Sequence, residues 1–210
     1  MPDLSFQVEG AEAVPYAAAP LLVLKLRVAN ANPEESLHSV ALQCQIQIQA
    51  SRRRYNAEEQ RRLTDLFGTP DRWSLTLRTM LWTHANIVVP GFQGAILVDL
   101  PVHCTFDFNV AATKYFSAVE GGEVPILLQF SGTAFYAGED GALQVSPIPW
   151  NREAAYKLPV AVWKEMMNLY YPNTAWLSLR RDVFERLLAY KSLNGIPTWE
   201  QTIERILPAC

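Results

Sequence analysis

The sequence predicts a mainly-β protein of the α+β class: an antiparallel β-sandwich with an inserted helix and a C-terminal helical segment. Three observations lead to this prediction. Apolar residues recur with a period of two before residue 150, this period then stops, and helical spacing with capping residues replaces it. We therefore predict a β-sandwich at 1–150, with a helix near 56–67, and a helical segment at 151–210 that packs on the sandwich.

The first strands are predicted at 22–29 and 40–49, where every second residue is apolar and the other face of the second strand carries glutamines. The turn residues Asn30–Pro33 lie between these strands, so the two are expected to be antiparallel neighbours. The same period recurs over 96–110, where Pro101 marks an edge or a bend.

A central strand is predicted at 124–136, because this segment is apolar on both faces and so suits a strand that is covered on each side. Gly138–Gly141 is typical of a hairpin loop, and it leads into a further strand at Leu143 and Val145. The chain thus supplies about seven or eight strands.

The inserted helix is predicted from its capping residues, since Asn56 and Glu59 have the spacing of a capping box. Beyond residue 150, apolar residues at spacings of three and four predict helices over 159–170 and 178–193. A second capping box at Thr198 opens a last short helix.

Composition excludes several classes of partner. Of the 210 residues, 50% are hydrophobic and 19% are charged, which is enough apolar surface to offset the entropy lost on folding. The formal net charge of −3 argues against nucleic-acid binding and against a polybasic membrane anchor, since both need a basic surface. Pro15, Pro20, Lys25 and Arg27 interrupt the first apolar stretch, so neither a signal peptide nor a membrane span is predicted. We expect a cytoplasmic protein.

The residues that carry chemistry form no catalytic pattern. Cys44, Cys104 and Cys210 lack C-x-x-C spacing and are expected to be free thiols, the first two buried on apolar strand faces. His103 and Cys104 are adjacent on a strand and so point to opposite faces, which prevents a nucleophile–base pair. Dinucleotide, P-loop and hydrolase-elbow motifs do not occur in the sequence. We predict a protein that is not an enzyme, with no cofactor and no metal.

Two surface clusters are the candidate interaction sites. Arg52, Arg53 and Arg54 concentrate positive charge in an acidic protein and suit a docking patch; alternatively, they form a solvated loop whose arginines pair with Glu58 and Glu59.

The second cluster is Tyr170, Tyr171 and Trp176, three large aromatics around a helix end. Aromatics of this kind are favoured at protein interfaces and sugar-binding faces. The alternative is that they attach the helical segment to the sheet.

Nine short motifs are spread over almost the whole chain: Asp3-Leu4-Ser5-Phe6, Arg53-Arg54-Tyr55, Leu66-Phe67-Gly68, Val89-Pro90-Gly91-Phe92, Lys114-Tyr115-Phe116, Gly122-Glu123-Val124-Pro125, Phe130-Ser131-Gly132-Thr133, Pro149-Trp150 and Tyr171-Pro172-Asn173. As a set they resemble an uncharacterised bacterial family encoded beside actinobacterial-type nickel-iron hydrogenase genes. The strand–turn–strand arrangement from Pro20 to Gln49 also resembles, more loosely, the immunoglobulin-like sandwiches of late-embryogenesis-abundant proteins. This second resemblance implies that the predicted antiparallel β-sandwich is immunoglobulin-like.

The first resemblance implies a cytoplasmic accessory protein whose partner is a hydrogenase subunit or a maturation factor, and it assigns no catalytic residues. We therefore expect a non-enzymatic accessory or protein-interaction protein linked to nickel-iron hydrogenase assembly or operation. The alternative function is a small-ligand or carbohydrate-binding β-sandwich module that uses the aromatic cluster.

Overall fold

A computed structural model of the chain describes residues 1–105, 110–138, 140–175 and 177–207. The chain divides into two compact units, residues 1–173 and residues 174–210. The strands all lie in the first unit: β1 (Leu4–Ala13), β2 (Leu21–Asn30), β3 (Ser36–Ile48), β4 (Met80–Gln93), β5 (Ala95–His103), β6 (Glu123–Ala137), β7 (Leu143–Pro147) and β8 (Glu153–Pro159). The helices are α1 (Ala57–Arg62), α2 (Thr64–Phe67), α3 (Trp73–Thr76), α4 (Val110–Ala118) and α5 (Val160–Tyr170) in the first unit, and α6 (Arg181–Leu193) and α7 (Trp199–Ile206) in the second.

The strands form two antiparallel sheets, which confirms the predicted mainly-β α+β class. One sheet has the order β1-β2-β5, and the other has the order β4-β3-β6-β7, with β8 also paired to β6. Strand β6 thus lies inside its sheet, as its two apolar faces predicted, and β5, which contains Pro101, lies at an edge. The finer immunoglobulin-like topology stays a prediction.

The apolar faces of the two sheets meet in one core. Along β3 the alternating apolar residues are buried, among them Val40, Cys44 and Ile48, whereas the intervening glutamines are more exposed. The rings of Phe6 in β1 and Phe130 in β6 stack at 4.2 Å between centroids, and this contact joins the sheets directly.

The inserted helix near 56–67 is present, although it is divided into α1 and α2 at Leu63. The predicted capping box forms: the Asn56 side chain accepts from the Glu59 N–H, and the Glu59 carboxylate accepts from the Asn56 N–H. Helix α4 adds the fully buried Tyr115 and Phe116 to the core.

Two boundaries differ from the prediction. Val110 begins α4, although the alternation had predicted a strand up to that residue; residues 106–109 lie outside the described part of the chain. Strands also continue beyond residue 150, because β8 spans 153–159 and pairs with β6. The alternation of apolar and polar residues along β8 is weak in the sequence, because one of its inward-facing residues is the small Ala154.

The second unit contains two of the three helices predicted beyond residue 150, whereas the first of them, α5, lies in the first unit. Helix α6 ends at Asn194 and Gly195, whose φ of 60° is a conformation that glycine readily adopts. The Thr198 side chain accepts from the Gln201 N–H at the start of α7. Among the described residues, none of the helices has both the length and the apolar character needed to cross a membrane.

Candidate functional site

The predicted arginine cluster lies in a turn that directly follows β3. The turn is a single 3-10 helix, Ala50–Arg52, in which the Arg52 N–H donates to the Gln49 carbonyl at 2.9 Å. The Gln49 N–H in turn donates to the Pro125 carbonyl of β6, also at 2.9 Å. These bonds attach the turn to the sheet, so the backbone position of Arg52 is well defined.

The Arg53 side chain is turned inward and bonded to the protein itself. Its Nη2 donates to Glu59 Oε1 at 2.8 Å and to the Gly121 carbonyl at 2.6 Å, and its Nε donates to the Glu123 carbonyl at 3.2 Å. The Arg53 and Glu59 side chains are only 10% and 5% exposed. Arg53 therefore joins the turn, the start of α1 and the loop before β6. Its charge pairs with Glu59, but its side chain is buried rather than part of a solvated loop.

Glu59 is the acceptor at the centre of this junction. Its carboxylate also accepts from the backbone N–H groups of Asn56 at 3.1 Å and Glu120 at 2.9 Å. Burial by itself raises the pKa of the Glu59 carboxyl, but the bonds from Arg53, Glu120 and Asn56, with the charge of Arg53, outweigh it, so the net pKa lies below the ordinary value. Glu59 is therefore ionised at neutral pH.

Two tyrosines continue the junction into the core. The Tyr55 hydroxyl donates to the Ala50 carbonyl at 2.8 Å and lies 2.7 Å from the Tyr115 hydroxyl, which must then donate to it. The guanidinium carbon of Arg53 lies 5.1 Å from the centroid of the Tyr55 ring. Burial raises the pKa of both tyrosines, so both phenols stay protonated at neutral pH.

The arginines of α1 pair on the surface. Arg61 and Arg62 both bond to Glu58, and Arg62 also lies 3.5 Å from Glu120. Solvent screens exposed pairs of this kind, so they add little to stability. Arg61 and Arg62 are thus part of a solvated face.

Arg52 and Arg54 have a different environment from Arg53, because both are exposed. Neither forms an ion pair within the described part of the chain. Of the three predicted arginines, these two are the ones whose charges are available to a partner or a ligand.

A cleft of about 670 Å³ opens beside Arg52. Strand β8, the start of β6 and the arginine turn form its walls. The residues that line this Arg52 cleft are Gln49, Arg52, Glu123, Pro125, Ile126, Ala155, Tyr156, Lys157 and Pro159. Sequence reasoning identified Arg52 but not the cleft, because the other walls come from segments some 70 to 100 residues away along the chain, beyond the reach of local patterns.

The predicted aromatic cluster is only partly described by the structure. The Tyr170 hydroxyl donates to the Val14 carbonyl at 2.7 Å and accepts from the Ala17 N–H at 2.8 Å, so it fixes the loop between β1 and β2. Tyr171 is half-buried at the end of α5, and Trp176 lies outside the described residues. The Tyr170 hydroxyl therefore has an internal role.

Both cysteines of the strand region are free and buried, as predicted. Cys44 is 1% exposed and Cys104 is 4% exposed. Burial raises the pKa of each thiol to about 12. The reactive thiolate is therefore scarce at neutral pH.

Alkylation tests this assignment. Iodoacetamide should modify Cys44 and Cys104 slowly in the native protein and rapidly after denaturation, because access and thiolate formation both require opening of the core. Peptide mass spectrometry measures the labelling at each cysteine. Fast native labelling of Cys104 would revive a chemical role for that thiol.

Asp99 and His103 both lie on the edge strand β5. Asp99 forms an ion pair with Lys25 of β2 at 2.9 Å. Within residues 1–105, 110–138, 140–175 and 177–207, no three His, Cys, Asp or Glu side chains are grouped so that they can hold a metal ion.

The second unit exposes many large apolar side chains, a feature that the sequence predictions did not identify. Among its described residues only Ile196 and Thr202 are buried. The exposed apolar residues of this C-terminal helical unit are Leu177, Leu179, Phe184, Leu188, Leu193, Ile203, Ile206 and Leu207. Ile203 and Ile206 of α7 and its C-cap residue Leu207 have the spacing of one helix face.

Comparison with solved structures gives only weak likenesses. A β-glucosidase from Kluyveromyces marxianus matches 74% of this chain and 15% of its own, at 11% identity and a TM-score of 0.27. A candidate ApaA protein from Bordetella pertussis aligns with 75% of the present chain, over 93% of the length of the ApaA chain, at 14% identity and a TM-score of 0.23. β-Glucosidase 3B from Thermotoga neapolitana aligns with 74% of the present chain, over 17% of the length of the glucosidase, at 12% identity and a TM-score of 0.22.

The present chain thus spans less than a fifth of either glucosidase, and TM-scores this low support no functional argument. A search of curated proteins finds no match. One family model matches residues 1–210 in full, so the chain belongs to DUF6084, a family of unknown function.

Proposed function

We propose that this protein is a non-enzymatic accessory protein that binds another protein through its C-terminal helical unit. The observation that supports the proposal is the apolar surface of that unit, with eight exposed large apolar side chains in a segment that buries two residues among those described. Large exposed apolar patches on a folded protein mark interaction sites, since their burial against a partner is favourable.

The geometry of α7 suits an interface. Ile203, Ile206 and Leu207 are 36%, 50% and 61% exposed and share one face. Contacts inside the unit lie elsewhere: the rings of Phe184 and Trp199 lie 5.5 Å apart, and the Lys191 ammonium lies 5.6 Å from the Trp199 ring. The α7 face is therefore free for a partner without loss of these contacts.

The partner that we propose is a subunit or a maturation factor of a nickel-iron hydrogenase, and the site of action is the cytoplasm. The support for this finer proposal is the resemblance of the sequence motifs to the hydrogenase-linked family. The apolar surface independently supports a protein as the partner, because helix faces of this kind dock into apolar grooves of other proteins.

Affinity purification from the native host tests the proposal. The tagged wild-type chain should recover hydrogenase subunits or maturation factors. The double variant Ile206→Ser/Leu207→Ser should lower that recovery about tenfold, because it removes two anchors from the α7 face. Quantitative mass spectrometry of the purified material measures the change.

A matched control lies on the edge strand β7. Leu143 and Val145 are 64% and 61% exposed, so Leu143→Ser/Val145→Ser removes a similar apolar area from the first unit. This variant should change recovery by less than about twofold. Equal losses in the two double variants would contradict the assignment of the interface, and recovery without any hydrogenase protein would contradict the identity of the partner.

A further inference from the structure

We propose that the Arg52 cleft is a binding site for a small organic monocarboxylate with an aromatic body. The site lies wholly in the first unit and uses none of the residues of the C-terminal helical unit. It is therefore independent of the proposed protein interaction, and either proposal can fail without the other.

The size and walls of the cleft suit a small organic molecule. Its volume of about 670 Å³ falls within the range of roughly 300–1,000 Å³ that is typical of small-molecule sites. Pro125, Ile126, Ala155 and Pro159 provide an apolar surface between the polar groups. A flat apolar body can bury its surface against these side chains.

The charges of the cleft favour a single negative charge on the ligand. Arg52 forms no ion pair within the described residues, so its guanidinium is available to bind a carboxylate with two parallel hydrogen bonds. Lys157 lies 3.9 Å from Glu123, and both side chains are largely exposed. Two cations and one carboxylate leave one positive charge in excess, which a monoanion neutralises and a dianion exceeds.

Gln49 adds a polar group to the cleft wall. This residue is 7% exposed as a whole, and its side-chain amide forms no hydrogen bond to any described residue. Among the described residues, the fully buried side-chain atoms without a partner are Arg53 Nη1 and Arg152 Nε, so the Gln49 amide is accessible from the cleft. Gln49 lines the cleft, so a polar group of a bound ligand can complete its hydrogen bonding.

Tyr156 adds a further donor. Its hydroxyl has no hydrogen-bond partner among the described residues, and the side chain is half-buried in the cleft wall. Burial, together with the charge of Glu123, raises the pKa of Tyr156, so its phenol remains protonated and can donate to a carboxylate.

The two sides of the cleft are held in place before any ligand binds. The Arg52 turn is bonded to Gln49 and through it to Pro125, and Arg53 bonds to the Glu123 carbonyl. A site with a fixed backbone loses little conformational freedom on binding. The cleft is therefore preorganised for a ligand, as binding sites commonly are.

Titration with naphthalene-2-carboxylate, followed by ¹H–¹⁵N NMR spectra of the full chain, tests the proposal. We expect saturable shifts centred on the cleft residues, with a Kd of about 1 mM, as is typical of a ligand of this size. The uncharged naphthalene-2-carboxamide should bind about tenfold more weakly, because it lacks the charge that Arg52 recognises.

Two exposed neighbouring arginines give a matched pair of variants. Arg52→Gln should weaken binding about tenfold, whereas Arg54→Gln, which makes the same change outside the cleft lining, should change Kd by less than about twofold. Ala155→Phe should also abolish binding by filling the cleft. Non-saturable shifts, equal binding of the amide, or equal effects of the two arginine variants would each overturn the proposal.

Discussion

Arg53→Ala is expected to lower the free energy of unfolding by about 3 kcal/mol. The change leaves the Glu59 carboxylate without its charged partner in a site where its side chain is 5% exposed, and it removes the donors to the Gly121 and Glu123 carbonyls. Urea denaturation followed by tryptophan fluorescence measures the difference.

Arg54→Ala is the matched control, because Arg54 is the exposed neighbour and forms no ion pair with a described residue. Its effect should stay within about 0.5 kcal/mol.

The dependence of stability on pH gives a second check. The pKa of Glu59 is lowered in the folded protein from 4.5, so the stability that this group contributes is present above about pH 4.5 and is lost as the pH falls through the folded pKa. Arg53→Ala should reduce that loss; an unchanged acid profile would contradict the assignment.

Gly132→Ala is expected to be the other strongly destabilising substitution, with a loss of about 3 kcal/mol or more. Gly132 lies in β6 with φ of 139°, and a Cβ atom there would lie 2.0 Å from the Ala41 carbonyl oxygen of β3. The backbones of the two strands would have to separate. Thermal unfolding measures the effect.

Gly68→Ala is a control that tests the cost of a positive φ alone, without a steric contact between the new Cβ atom and a neighbouring strand. Gly68 also has a positive φ, 73°, but a Cβ atom at this position meets no described atom within 4 Å. Its substitution should therefore cost only about 1 kcal/mol. Equal losses at the two glycines would show that the contact with Ala41 is unimportant.

The parts of the fold that the sequence predicted are those with a strong local pattern. Strand β3 has five alternating buried residues, and Asn56 and Glu59 form their capping box within four residues of chain. Strand β1 was missed because its alternation of Leu4, Phe6 and Val8 ends at an irregularity near Gly10. Strand β4 was missed because few of its residues are buried and Pro90 interrupts its pattern.

The candidate site was harder to predict, because it depends on contacts between distant segments. The sequence offered Arg52, Arg53 and Arg54 as equivalent charges, but only the fold brings Gly121 and Glu123 against Arg53 and leaves Arg52 beside a cleft. The apolar face of the second unit was also missed. The apolar spacing predicted a helix over 178–193, but spacing alone does not show which of its apolar residues stay uncovered.

The central claim is that the C-terminal helical unit binds a partner protein, and photo-crosslinking in the native cell tests it most directly. A photoreactive phenylalanine analogue is placed at Leu207 in one strain and at Leu143 in another; the two residues are 61% and 64% exposed. The account predicts a covalent adduct with a different protein from position 207 and none from position 143. Adducts from position 143 alone, or from position 207 only with a second copy of this chain, would contradict it.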